Sequence, residues 1–144
     1  MSDLEERFGA AMHNTSRAWR QALDRRLKHL GVSQASWMAI AAAAKAEAPL
    51  SQSELADRLA VEGATLVSMV DRLVRAGLAV REPSATDRRI KRVVLTQSGL
   101  LLYDKVRAEA AAFRQEILAH VDPQKLQAAT DLLDELRGII DAAP

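Results

Sequence analysis

The stretch that decides the fold is Ser51–Gly77, "SQSELADRLAVEGATLVSMVDRLVRAG". It opens with Ser51 and Glu54 at the spacing of a capping box. The serine hydroxyl can accept from the Glu54 backbone N–H while the glutamate reaches back to that of Ser51. This predicts a short helix over 52–60 with Leu55, Ala56 and Leu59 turned inward. After the turn Val61–Gly63 a second helix is expected over about 64–76, with Leu66, Val70, Leu73 and Val74 as its buried stripe and Gly77 just past its end. Two short helices joined by a glycine-containing turn form a helix-turn-helix pattern. The helices alone are also compatible with any helical hairpin inside a bundle.

Burying that stripe leaves Gly63, Ala64, Thr65, Ser68, Arg72 and Arg75 on the opposite face of the second helix. The residues at its start are small and polar, and the arginines come later. A helix that reads duplex DNA contacts base edges mainly through its N-terminal residues, and arginine suits phosphate or guanine.

Downstream, Leu78–Glu82 and Ile90–Thr96 are short β-like runs joined by "PSATDRR", and Pro83 stands where an edge strand can end. Residues 81–92 hold five cations and two anions in a chain whose net charge is only +1. A hairpin tipped by Arg88 and Arg89 directly after a helix-turn-helix reads as a wing whose tip can reach a minor groove. Asp87 need not oppose that role, because a carboxylate two residues before Arg89 can hold its guanidinium in one geometry by a bidentate bond. A solvated hairpin that neutralises its own charge is the plainer alternative.

Leu50–Thr96, "LSQSELADRLAVEGATLVSMVDRLVRAGLAVREPSATDRRIKRVVLT", resembles the helix-turn-helix and wing of the MarR family of bacterial regulators, including Asp-x-Arg at Asp87 and Arg89 followed by Leu95-Thr96. "RAWRQALDRRLKHLGVSQASW", Arg17–Trp37, is similar to the N-terminal region of the SlyA-like branch. The resemblance implies a homodimer with one winged helix per subunit, the helix over 64–76 in the major groove and the wing on the minor groove. SlyA-like proteins often carry arginine where this chain has Ser68, a departure that bears on operator preference.

The rest of the chain reads as helix. A helix is expected over 4–30, with Leu4 and Phe8 on one stripe and Trp19, Leu23 and Leu27 beside it. Another runs from a Ser33 cap to about Glu47, a long one follows Thr96, and a last one starts at Asp122-Pro123. In the last helix Leu126, Ala129, Leu133, Leu136 and Ile140 repeat at 3-4-3-4 spacing, an a/d seam that fits a partner helix or packing within the subunit. One helix-turn-helix rarely supplies enough contacts, and dimers read two half-sites. Residues 1–30 and 97–144 are therefore assigned to dimerisation, through Leu4, Phe8, Leu126, Leu133, Leu136 and Ile140. Residues 33–96 form the DNA-binding region, and 1–144 a single domain. The fold class is mainly α with a small β-hairpin wing.

His13, Arg17, Trp19, Trp37 and Met38 come from the first two helices. They could line a cleft for a small aromatic carboxylate, with the ring on tryptophan and the carboxylate on Arg17, or they could be core and surface residues. The family resemblance implies effectors of this kind.

Composition sets the outer limits. The 144 residues are 49% apolar and 27% charged, an ordinary globular balance. The chain has no cysteine, so disulfides and thiolate metal sites are excluded. His13, His29 and His120 are far apart, and no phosphate-cradling glycine loop or nucleophile motif occurs. Neither enzyme activity nor a metal or other cofactor is expected. The acidic "MSDLEERF" start does not read as a signal peptide, and the run Met38–Ala44 is too short to span a bilayer, so a cytoplasmic location without membrane attachment is expected. The resulting expectation is a dimeric regulator, acting as a repressor on a pseudo-palindromic duplex and released by a small anionic aromatic effector. The alternatives are a winged-helix protein-interaction module and a DNA-binding protein without an effector.

Overall fold

The structure, a computed structural model, describes residues 2–144, so only the first residue of the expected 1–30 segment lies outside it. Helix α1 (Ser2–Leu27) continues into a 3-10 turn, Lys28–Leu30, that stops at Gly31 in the left-handed region at φ 72°. Helix α2 (Gln34–Lys45) is capped by Ser33, whose hydroxyl accepts from the Ser36 N–H. It ends two residues before the expected Glu47. Then come strand β1 (Leu50–Ser51), helices α3 (Gln52–Leu59) and α4 (Gly63–Arg75), strands β2 (Ala79–Pro83) and β3 (Lys91–Leu95), and helices α5 (Gln97–Leu118) and α6 (Pro123–Ala142).

The capping box forms as its spacing requires. Ser51 Oγ accepts from Glu54 N–H at 3.1 Å, and Glu54 Oε1 accepts from Ser51 N–H at 3.0 Å. These bonds hold the Glu54 carboxyl below the usual carboxylate range. Helix α3 ends one residue early because Ala60 takes the left-handed cap conformation at φ 55°, a position glycine usually fills. Helix α4 ends in a Schellman motif. Leu78 N–H donates to the Leu73 carbonyl and Gly77 N–H to that of Val74, with Gly77 at φ 76°.

The hairpin gains a third strand. The order is β1-β3-β2, all antiparallel, with Leu50 opposite Val93 and Arg81 also opposite Val93 from the other side. β3 is therefore the central strand, and β2 is an edge that ends on Pro83 as expected. Leu50, Ala79 and Val93 are buried and join Ala39 and Ile40 of α2, Leu55 and Ala56 of α3, and Leu66, Met69, Val70 and Leu73 of α4 in one core. Here the expected stripe of α4 needs correction. Val74 is exposed and Met69 takes its place, because Leu66, Met69, Val70 and Leu73 span the i, i+3, i+4, i+7 face while i+8 drifts off it.

Thr96 locks the wing base to α5. Its hydroxyl donates to the Gly77 carbonyl at 2.7 Å and accepts from Gly99 N–H at 3.1 Å, while its own N–H donates to the Leu78 carbonyl at 3.0 Å. Gly99 is required there, since a Cβ would overlap the Leu78 carbonyl oxygen. On the same body, Glu109 of α5 accepts from Arg26 Nε of α1 at 3.1 Å, with His29 Nε2 at 3.5 Å from its other oxygen.

The chain divides into two compact units, one ending at Ala110 and the other Ala111–Pro144. The second comprises the end of α5 and all of α6. Asp122 starts α6 by accepting from Gln124 N–H at 2.9 Å, with Pro123 in the first turn.

Candidate nucleic-acid interface

Packing α4 through Leu66, Met69, Val70 and Leu73 turns its other side outward. Gly63, Ala64, Thr65, Ser68, Arg72 and Arg75 are all exposed. Arg72 and Arg75 have no carboxylate partner among the described residues, nor does Arg88 in the wing loop. The body thus presents free guanidiniums on two separate elements.

The wing tip is organised by Asp87. Its Oδ1 accepts from Arg89 N–H at 3.0 Å and from Arg89 Nε at 3.2 Å, and its Oδ2 accepts from Arg89 Nη2 at 3.2 Å. Its carbonyl also accepts from Ile90 N–H at 3.0 Å, and Ser84 N–H closes the loop onto the Ile90 carbonyl at 2.8 Å. The bidentate geometry expected from Asp-x-Arg is therefore present. Arg89's side chain and then its backbone N–H hold the Asp87 carboxyl below the usual carboxylate range. The Arg89 side chain nevertheless remains 91% exposed, oriented at its base and free at its outer edge.

Arg81 of β2 was not singled out in the sequence. Its Nη2 donates to Asp71 Oδ1 of α4 at 2.7 Å and to the Val67 carbonyl at 3.3 Å, and its Nε donates to Gln52 Oε1 of α3 at 2.9 Å. One half-buried guanidinium thereby ties the wing to both helices of the helix-turn-helix. It also neutralises Asp71, a carboxylate on the outward half of α4 that would otherwise repel phosphates. Only the cation excess of the wing hinted at it, because the three partners lie 10 to 29 residues away in sequence. We expect Arg81→Met to lower stability by roughly 1 kcal/mol, since the pair is partly solvated. We also expect Arg89→Ala to cost less DNA affinity in that background than in wild type, as read by a double-mutant cycle. Equal costs in both backgrounds would show that the wing keeps its position without Arg81.

The five expected effector residues separate. An open cleft of about 540 Å3 between α1 and the start of α2 is lined by Met12, His13, Ser16, Arg17, Arg20, Gln21 and Gln34. His13 and Arg17 share this face at i, i+4, whereas Trp19, two residues on, projects from a different side of α1. Trp19, Trp37 and Met38 are half-buried and do not line the cleft. The Trp37 indole N–H is screened from solvent with no acceptor among the described residues.

Of the residues assigned to dimerisation, Leu4 and Phe8 on α1 and Leu133 and Ile140 on α6 are exposed, and Leu126 and Leu136 are half-buried. Among the described residues there is no cluster able to hold a metal ion, and no helix is long and apolar enough to cross a membrane.

A helix-turn-helix carrying an arginine-tipped wing defines a winged-helix DNA-binding protein. The sequence model of the MarR family matches residues 30–90. A solved transcriptional regulator, PA3341, is 38% identical, with 94% of this chain and 99% of that chain covered and a TM-score of 0.84. The chain belongs to the MarR family and is a DNA-binding transcriptional regulator. The same fold occurs in AbsC, a MarR family transcriptional regulator from Streptomyces coelicolor (21% identity, TM-score 0.85, 99% and 98% of the two chains). It occurs also in CouR from Rhodococcus jostii RHA1, solved bound to p-coumaroyl-CoA (22% identity, TM-score 0.79, 92% and 93%).

Proposed function

We propose that this chain acts in the cytoplasm as a homodimeric, non-enzymatic repressor of the SlyA-like branch, on a pseudo-palindromic operator. The helix α4 enters the major groove through Gly63, Ala64, Thr65 and Ser68. Arg72, Arg75 and Arg88 meet phosphates, and Arg89, oriented by Asp87, enters the adjacent minor groove. The observation that carries this reading is the Asp87–Arg89 fork, which orients the guanidinium of a side chain still 91% exposed at the tip of a wing held against α4 by Arg81. Residues 33–96 supply the reading head. The exposed apolar residues of 1–30 and 97–144 supply the dimer contacts that set two heads about one helical turn apart.

The test is a mobility-shift titration against duplexes recovered from a randomised pool. With several cations per subunit on phosphates, affinity should fall by about 10³-fold or more between about 50 and about 200 mM salt. A shallow salt dependence would instead favour a winged helix that has become a protein-interaction module.

Release is assigned to a small carboxylate in the cleft on α1, its anionic group on Arg17 beside His13. An aromatic ligand is supported by CouR, a protein of the same fold solved bound to p-coumaroyl-CoA. Such a ligand favours a spacing of the two α4 helices that does not match the duplex, and it must bind that spacing more tightly than the DNA-competent one. Thermal-shift measurement with a panel of aromatic acids should give stabilisation by at least one member, lost in Arg17→Ala. No stabilisation by any of them, or an undiminished shift in the variant, would count against the site.

A further inference from the structure

The outward face of α4 carries an unusual set of side chains where base edges would lie. Over residues 63–69 it exposes Gly63, Ala64, Thr65, Val67 and Ser68, with Val67 at 40%. None carries an amide, ammonium or guanidinium. Bidentate readout of guanine needs arginine or lysine, and of adenine asparagine or glutamine. The first guanidinium on the helix, Arg72, is two turns beyond Thr65, about 10 Å along the axis. That places it beyond the N-terminal residues that meet bases.

Beside the hydroxyls of Thr65 and Ser68, which can bond either kind of base and so discriminate little, the leading turns offer methyl groups on Ala64, Thr65 and Val67. The major-groove feature that a methyl recognises is the C5-methyl of thymine. Val67 is the most telling of the three. It is a β-branched apolar residue left in solvent, and the backbone that carries it is held from the wing, since its carbonyl accepts from Arg81 Nη2. The side chain is stiff at χ1, so its methyls are presented at a defined place.

We infer that this protein selects its operator by apolar contact with thymine methyls, with Val67 as the specificity-determining residue. Each half-site therefore carries A·T pairs where the start of α4 sits. The inference rests on the placement of α4 in the major groove.

The test starts from duplexes recovered from a randomised pool by the full-length protein. Each thymine of the half-site is replaced in turn by deoxyuridine, which lacks only the C5-methyl. Affinity is expected to fall about fourfold at each contacted position, and about 15-fold when both half-sites are changed together. In Val67→Ala, whose folding is checked by thermal unfolding, the same replacement at the Val67-facing position should cause no further loss. Wild-type affinity that ignores deoxyuridine at every position would overturn the proposal, as would full sensitivity retained at every position in Val67→Ala. Arg72→Ala on the same duplexes separates the two levels. Uniform weakening with a silent deoxyuridine series would leave α4 in the groove and remove methyl readout. Wild-type affinity and salt dependence in Arg72→Ala would remove α4 itself.

Discussion

Replacing Arg89 by alanine is expected to weaken operator binding by about 10²–10⁴-fold with little change in thermal unfolding. A charge-assisted hydrogen bond contributes roughly 1.5–3 kcal/mol, a dimer makes the contact twice, and about 1.4 kcal/mol is a factor of ten. The side chain is 91% exposed, so the folded protein loses almost no packing with it. Asp87→Ala removes the fork but leaves the cation. Its effect should be smaller, about 5- to 100-fold, reflecting a side chain that must now be ordered on binding. The pH dependence has a definite sign. Because Arg89 lowers the Asp87 pKa, the fork is fully present above the ordinary carboxylate range and is lost only as pH falls through the lowered value. Operator affinity across neutral pH should therefore show no pH dependence arising from this pair. If Arg89→Ala binds like wild type, the wing does not touch DNA.

Leu133→Asp is expected to yield a folded monomer with operator affinity about 10²–10⁴-fold below that of the dimer, since bivalent engagement of two half-sites is lost. Leu133 is exposed, in line with Leu126, Leu136 and Ile140 along α6, and Ile140 is 64% exposed. Leu4 on α1 is 66% exposed. Large apolar side chains left in water at this density mark interaction surfaces. A carboxylate placed in such a seam is desolvated without a partner on association, whereas in the free chain it remains in water. Sedimentation analysis gives the oligomeric state and circular dichroism the fold. A variant that stays dimeric would remove α6 from the interface.

The features legible in the sequence are those whose physics is local. The Ser51–Glu54 box, the Asp122-Pro123 start and the Gly77 stop each involve groups within a few residues, and all three form as read. The Asp87–Arg89 fork was legible for the same reason. Features that depend on distant partners were not. Leu50 and Ser51 make a strand only because β3, some forty residues on, supplies the hydrogen bonds. Arg81 looks like one more wing cation until Gln52 and Asp71 are brought to it. The exchange of Val74 for Met69 turns on the few tens of degrees by which i+8 drifts from the buried face. The cleft on α1 was half legible: His13 and Arg17 share a helix face, but nothing local says which way Trp19, Trp37 and Met38 turn.

The most direct measurement is chemical footprinting of a recovered duplex by wild type and by Arg89→Ala, the latter at a concentration that restores occupancy. Two major-groove protections about 10 base pairs apart are expected, each flanked by a minor-groove protection that disappears in Arg89→Ala. A single protected major-groove site, or flanking protection that persists without Arg89, would contradict a dimer that reads DNA with α4 and grips it with the wing.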